Sequence, residues 1–481
     1  MSDCCVSDIL FRVERSGRRR IQGSEMGTLE MEKGFEAGDE SDRIGLLPDC
    51  ILHHILSYLP TKESVATCVL SKRWRYLWTS VPTVDFDDSI LYSSRLDLWY
   101  QINVESFMNF VEKVLLQRDA TNMNRFRLSC RVCFNASHIN EWIVAAMKHN
   151  IQELILCLFV EEPFVLPGCV FDSKMLTVMK LEMNCTLQLP PRISFPFLRK
   201  LQLCLVTFPN DTMMQSLFSG CPSLEELAVL DCEWVNLKSI SITIPSLKIL
   251  IIDDLPFCSV DDLRGCDIRI DARNLIFFKY SGYLSNVINV FDLSSSALAL
   301  IHIPNLCGTQ LKIACRTLKL FRGLKNVSSL RISSGTIESL FLAENSADYI
   351  PIFENMTLLE LEGEFNKTSL LLLIKFLQFL PYLEHFRFCE GIVCHQDMDF
   401  TVNLTPKCNL GRLRKIDYRN FDGTQIEIWF LRFLLKNAVA LEKMRLFWSK
   451  KSFLDPKSRE EIVNQLQSDP RGSENCALIF A

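Results

Sequence analysis

No run of about 18 uncharged apolar residues occurs in this chain, so no membrane-spanning helix is expected. The first residues, MSDCCVSDILFRVERSGRRR, lack a continuous apolar core, and no secretory signal is read there. Positive charge is not in excess. Against 52 Lys and Arg stand 57 Asp and Glu, a net charge of −5, which argues against a generally basic nucleic-acid surface. Histidine is scarce, with seven residues scattered along the chain. His53 and His54 are neighbours on one helical pattern, so they face different directions and make a poor metal pair. The glycine-rich phosphate loops, the G-x-S-x-G elbow and the H-E-x-x-H zinc motif are all absent. No catalytic set, metal site or cofactor is therefore expected.

What is present is apolar and long. The chain has 481 residues, 48% of them hydrophobic, enough for several domains or one extended repeat array. Its most apolar window, SLLLLIKFLQFLPYL, is interrupted by Lys375 and Pro381 and suits a buried helix. Twenty cysteines are spread mainly through apolar stretches, where reduced Cys acts as a small hydrophobe. Cys130 and Cys133 form one C-x-x-C, but a structural zinc needs four ligands and no second pair follows. Cys389, Cys394 and His395 are loosely spaced and read as a loop. The acidic pairs Asp253–Asp254 and Asp261–Asp262 read as solvated loop charge.

Residues 1–41 are rich in Gly, Ser and acids without apolar periodicity, and a disordered tail is expected. Arg18, Arg19 and Arg20 in that tail form a short basic cluster, too small to establish a nuclear-import signal. Three short helical patterns follow. Pro48 suits a helix start, and Ile51, Leu52, Ile55, Leu56 and Leu59 form an apolar stripe. Pro60 ends that helix, and Thr61 is the expected N-cap of a second carrying Val65, Cys68 and Val69. Ser71 is the expected cap of a third, with Trp74, Leu77 and Trp78 on one side and Lys72, Arg73 and Arg75 on the other. So few residues cannot bury their own apolar faces. Either a partner covers them, or they cap a repeat array. The segment LYSSRLDLWYQINVESFMNFVEKVLLQ, with a helix expected from about Val104, separates them from the repeats and favours a partner.

The remainder repeats the template L-x-x-L-x-L: IQELIL from Ile151, LTVMKL from Leu176, LRKLQL from Leu198, LEELAV from Leu224, LKILII from Leu247 and LIFFKY from Leu275. IESLFL from Ile337, LLELEG from Leu358, LEHFRF from Leu383, LRKIDY from Leu413 and LEKMRL from Leu441 continue it, at roughly 25-residue spacing. Alternate apolar residues of each short strand point inward, and stacking aligns the strands into a parallel sheet on a concave face. Helical patterns such as NDTMMQSLFSG would form the convex side. Asn184 and Cys232, at the ends of two copies, are expected to bond neighbouring backbone. Glu225, Glu226 and Ala228 are expected on the concave face, and irregular repeats around 284–330.

The segment DRIGLLPDCILHHILSYLPTKESVATCVLSKRWRYLWTSVPTVDFDD resembles an F-box of the plant type, and LRKIDYRNFDG, LLKNA and LEKMRL resemble the FBD domain that ends many plant F-box/LRR-repeat proteins. The resemblance implies an α/β chain: an F-box over 42–88, a linker with first helical and strand units over 89–150, irregular leucine-rich repeats over 151–400, and an FBD domain with its tail over 401–481. It further implies a non-catalytic substrate-recognition subunit of an SCF-type ubiquitin-protein ligase. Its F-box would dock an SKP-type adaptor, and through it a cullin and a RING subunit, while the repeats bind an unknown protein substrate. Neither nucleic acid nor membrane is an expected partner, and the nucleus and/or cytoplasm is the expected location. The adaptor-binding residues carried over are Leu47, Pro48, Ile51, Leu52, Ile55, Leu56, Leu59, Val65, Val69, Trp74 and Leu77. Which of them face the adaptor stays open at this point, as does the alternative of a non-catalytic repeat scaffold with no cullin engagement.

Overall fold

The computed structural model describes residues 44–88, 104–119, 123–131, 135–160, 164–254, 265–291, 293–304, 310–343, 346–390, 392, 410–450 and 455–481. The expected tail, the Arg18–Arg20 cluster, Cys133, Asp261, Asp262, Cys394 and His395 lie outside the described residues. Two units are distinguished, Met1–Pro48 and Asp49–Ala481. In the first, the Leu47 amide closes a turn onto the Ile44 carbonyl at 3.1 Å.

In the second unit, fifteen strands among the described residues pair in parallel as one sheet. Numbered in chain order, they are β1 (Thr83–Asp87), β2 (Arg125–Cys130), β3 (Glu153–Leu158), β4 (Val178–Met183), β5 (Lys200–Cys204) and β6 (Glu226–Leu230). Then come β8 (Ile249–Asp254), β10 (Phe277–Gly282), β12 (Leu298–His302), β13 (Ser329–Ser333), β14 (Leu358–Glu362), β15 (His385–Phe388), β16 (Lys415–Phe421), β17 (Lys443–Trp448) and β18 (Ala477–Phe480). The three others, β7 (Ser239–Thr243), β9 (Asp267–Asp271) and β11 (Val287–Phe291), form a second parallel sheet in the order β11-β9-β7.

The period-two alternation of each strand explains the core. One residue per strand falls in register along an apolar file that begins Phe86, Leu128, Leu156, Leu181, Leu203 and ends Phe388, Tyr418, Leu446, Phe480. Each strand alone leaves this side chain wet, and the neighbouring strands dry it. Helices cover the file from behind. Asp211–Ser219 buries Met214, Leu217 and Phe218 and is capped by the Asn210 side chain, which accepts from the Met213 amide at 2.9 Å. The leucine-rich window forms the helix Lys367–Phe376, with Leu370, Leu373, Ile374 and Phe376 buried.

Several expectations change. The layer behind β6 to β12 is not helical throughout: the second sheet supplies it, burying Ile240, Ile242, Ile268, Ile270, Ile288 and Val290. The helices Asp211–Ser219 and Gln310–Gly323 flank its outer strands β7 and β11. Region 284–330 does not interrupt the main sheet, because β12 and β13 continue its register. IESLFL is not a repeat strand. It falls mainly in the helix Ser334–Leu340, whose N-cap Ser333 accepts from the Thr336 amide. The strand of that repeat is Ser329–Ser333, with Leu330 and Ile332 facing inward. Among the described residues, the main sheet runs from Thr83 to Phe480. Asn184 accepts from the Val160 amide of the preceding repeat at 2.9 Å, as expected. Cys232 also bonds neighbouring backbone, its thiol donating to the Leu230 carbonyl at 3.4 Å and meeting the backbone of Val206 in the preceding repeat. Asp253 and Asp254 are not loop residues but close β8. Asp254 is buried, and burial pushes its carboxyl up to about 6. Glu226 and Ala228 lie on the face of β6 opposite Leu227 and Val229, whereas Glu225 precedes the strand and pairs with Lys248 at 2.9 Å.

Candidate functional site

The first helix, α1 (Asp49–Leu56), begins immediately after Pro48. The second, α2 (Thr61–Ala66), runs into a 3-10 turn at Thr67–Val69. Pro60, not Thr61, holds its cap position, without a side-chain cap bond. Thr61 is buried and its hydroxyl accepts from the Asp85 amide at 2.7 Å, tying α2 to β1. The third segment, Trp74–Ser80, is a 3-10 helix, and the Ser71 hydroxyl accepts from the Trp74 amide at 3.4 Å.

These segments do not stand apart from the repeats. Their strand β1 is the first of the main sheet, and Trp78 joins Val84, Phe86, Phe107 and Val111 in the core. Arg118 donates to the Val81 carbonyl at 2.7 Å, and Arg127 pairs with Asp85 at 2.8 Å and Asp87 at 3.0 Å. The helix Val104–Gln117 therefore does not act as a spacer: Phe107, Val111 and Val114 pack into the same core. The three segments both cap the sheet and keep an outward face.

Packing sorts the eleven carried-over residues. Leu52, Leu56, Trp74 and Leu77 are buried, with Leu52 fully inaccessible. Leu47, Leu59 and Val65 are half-buried, Val65 packing against the core. Pro48, Ile51, Ile55 and Val69 are exposed, the two isoleucines each at 43% and Val69 at 83%. Tyr58, Leu70 and Tyr76 are likewise exposed, and were not singled out in the sequence. Tyr58 and Tyr76 stand two and one residues from the buried Leu56 and Leu77 on short amphipathic patterns, which was the available signal; Leu70 carried none. Isolated exposed apolar side chains are ordinary. Six of them on these short segments and the turns between them, within 51–76, are not. Asp49 accepts from Arg73 at 2.5 and 3.0 Å, closing the third segment onto the first turn of α1. Tyr58 and His54 meet ring edge to face, 5.1 Å between centroids.

Among the described residues, no group of three or more His, Cys, Asp or Glu comes together as a metal site. Cys130 is buried, and burial lifts its thiol far above the ordinary range. Such a thiol is a packing residue, not a nucleophile.

The architecture is that of an F-box substrate-receptor type protein, helical at its start and repeat-built beyond. Three family models match in that order: F-box domain at residues 44–85, the LRR repeats of FBD-associated F-box protein At5g56370 at 139–264, and FBD at 403–446. None of them describes a catalytic domain. Similar proteins of Arabidopsis thaliana include F-box protein At3g59000, 29% identical over 84% of this chain and 86% of that protein. F-box/LRR-repeat protein At4g14103 is 31% identical over 67% of this chain and 85% of its own length. F-box/FBD/LRR-repeat protein At5g56420 is 27% identical over 91% and 99%. The chain belongs to the plant F-box/FBD/LRR-repeat family.

Proposed function

We propose that this protein is the substrate-recognition subunit of an SCF-type ubiquitin-protein ligase. Its F-box docks an SKP-type adaptor, which brings a cullin and a RING subunit, and its repeat sheet holds the protein to be ubiquitinated. The observation that carries this reading is the outward apolar set Ile51, Ile55, Tyr58, Val69, Leu70 and Tyr76. It is mounted on a rigid base of Leu52, Leu56, Trp74 and Leu77. Exposed Ile and Tyr on a fixed backbone bind a helical partner with little ordering cost. The base residues hold the shape and do not reach the partner.

The test is co-purification of the full chain with an SKP-type adaptor, for wild type and for Ile51→Glu combined with Ile55→Glu. Both side chains are exposed, so thermal unfolding should not move, while adaptor affinity should fall about a hundredfold or more, the effect of losing about 2.7 kcal/mol. A folded wild type that binds no adaptor would remove the ligase reading and leave a repeat scaffold.

A further inference from the structure

On β13 to β17 the sheet face opposite the core carries a row of charged residues in register: Arg331, Glu360, Arg387, Asp417 and Arg445. Neighbours are paired. Glu360 binds Arg331 at 2.5 Å and Arg387 at 2.8 Å. Asp417 binds Arg445 at 2.5 Å and lies 3.6 Å from Arg387. Two carboxylates thus serve three guanidiniums. On the same face Lys415 and Lys443 stand side by side in register, and Arg419 follows Asp417 by two residues along β16. None of these three cations is ion-paired among the described residues. The nearby His385 adds no charge at neutral pH, since burial and then Lys415 push its imidazole below the ordinary value.

Across β14 to β17 this face therefore sets five cations, Arg387, Lys415, Arg419, Lys443 and Arg445, against Glu360, Glu362 and Asp417, a positive excess in a chain whose net charge is −5. The other end of the sheet differs. On β1 to β6, Arg125 lies near Glu153, Arg127 pairs with two aspartates, and Lys200 pairs with Glu226. The positive excess is local to the FBD end.

We propose that the β15–β17 face docks an acidic segment of a partner protein, a stretch bearing several Asp or Glu side chains. Neighbouring strands lie about 4.8 Å apart and same-face residues along a strand about 6.8 Å apart, the spacing of alternate side chains in an extended peptide. Arg387, Lys415 and Arg419 are exposed and Lys443 and Arg445 half-buried, so the cations are presented and not sequestered. The paired arginines are held in place by Glu360 and Asp417, which lowers the ordering cost of binding. A nucleic acid fits less well. Its charge extends beyond three strands, over an otherwise acidic chain and past Glu360. The inference rests on the receptor reading in treating the sheet face as the partner side, but its binding step does not involve the F-box.

The experiment is fluorescence anisotropy on the full chain with a labelled peptide carrying Glu at alternate positions, its Gln counterpart, and a single-stranded oligonucleotide of equal charge. The Glu peptide should bind, weaken as salt rises, and lose about tenfold or more in affinity to the Lys415→Glu, Lys443→Glu variant. Thermal unfolding checks that variant, and Arg419→Gln with Lys443→Gln replaces it if it fails to fold. Equal binding of the Glu and Gln peptides, an unchanged variant, or preference for the oligonucleotide overturns the proposal. Adaptor co-purification in the same samples separates the two readings. Peptide binding without adaptor sinks only the ligase reading, and adaptor without peptide binding sinks only this one.

Discussion

The outward face of the F-box segments and the β15–β17 face present opposite chemistry over equally dry interiors. At the start of the chain, Ile51, Ile55 and Val69 stand exposed above Leu52 and Leu56. Toward its end, a ladder of ion pairs and unpaired cations stands above Phe388, Tyr418 and Leu446. An apolar face gains by being covered, whatever the salt. A charged face gains by long-range attraction, and loses it as ions screen the field. The first suits a lasting subunit contact, the second an exchangeable one. Three perturbations separate the surface chemistry from its support.

The largest effect is expected beneath the apolar face. Leu52→Ala and Leu56→Ala each remove a wholly buried side chain, at about 2–5 kcal/mol apiece. Thermal unfolding and limited proteolysis of the F-box segment should expose the loss. Adaptor binding should fall as well, but through unfolding of the site. The Ile51 and Ile55 substitutions, by contrast, should leave the melting curve in place. If Leu52→Ala melts like wild type, the buried base is not what holds these segments.

The intermediate effect lies in the ladder. Burial pushes the Glu360 carboxyl up, but Arg331 and Arg387 outweigh it and hold it below the ordinary value. A carboxylate depressed in the folded state contributes stability above its unfolded value, and that contribution is lost as pH falls through the native one. Glu360→Gln should therefore cost about 2 kcal/mol at neutral pH, allowing for the partial exposure of Arg387. The cost should fade as pH drops through the acid range, where wild type loses the same charge. A pH-independent difference would mean that Glu360 acts by packing alone.

Much of this arrangement was legible in the residues. Ten of the eleven template matches fall on strands of the main sheet, because a short strand needs large apolar side chains at fixed alternate positions. The eleventh fails because Ser333 caps a helix one turn before the match. β12 escaped because Ala299 stands in register with Phe278 and Leu330, where the template expects bulk. The second sheet alternates plainly in SISIT, DIRID and VINVF, but single short strands carry no sign of which layer they join. On α1 the pairs Ile51–Ile55 and Leu52–Leu56 have the same spacing, so periodicity ranks them equally. Only the third segment, Trp74–Ser80, packed against α1 decides which pair is dry. The charge ladder is set by register across strands far apart in sequence, which no local pattern contains.

The smallest effect is expected at the ion pair that crosses the F-box. Arg73 reaches Asp49 at 2.5 Å with both side chains partly in solvent, 38% and 58% exposed. Asp49 also lies in the first turn of α1, where negative charge is favoured. An exposed pair of this kind contributes about 0–1 kcal/mol, because water and salt screen it and two side chains must be ordered. A double-mutant cycle with Arg73→Ala and Asp49→Ala should return a coupling in that range that shrinks at high salt. Adaptor affinity should change no more than stability does, since the pair fixes the third segment and adds no apolar surface. A coupling well above about 1 kcal/mol, insensitive to salt, would make Arg73 a structural clamp for the outward face. The contrast between an apolar start and a charged end would then no longer hold, because charge would also be setting the geometry of the apolar face.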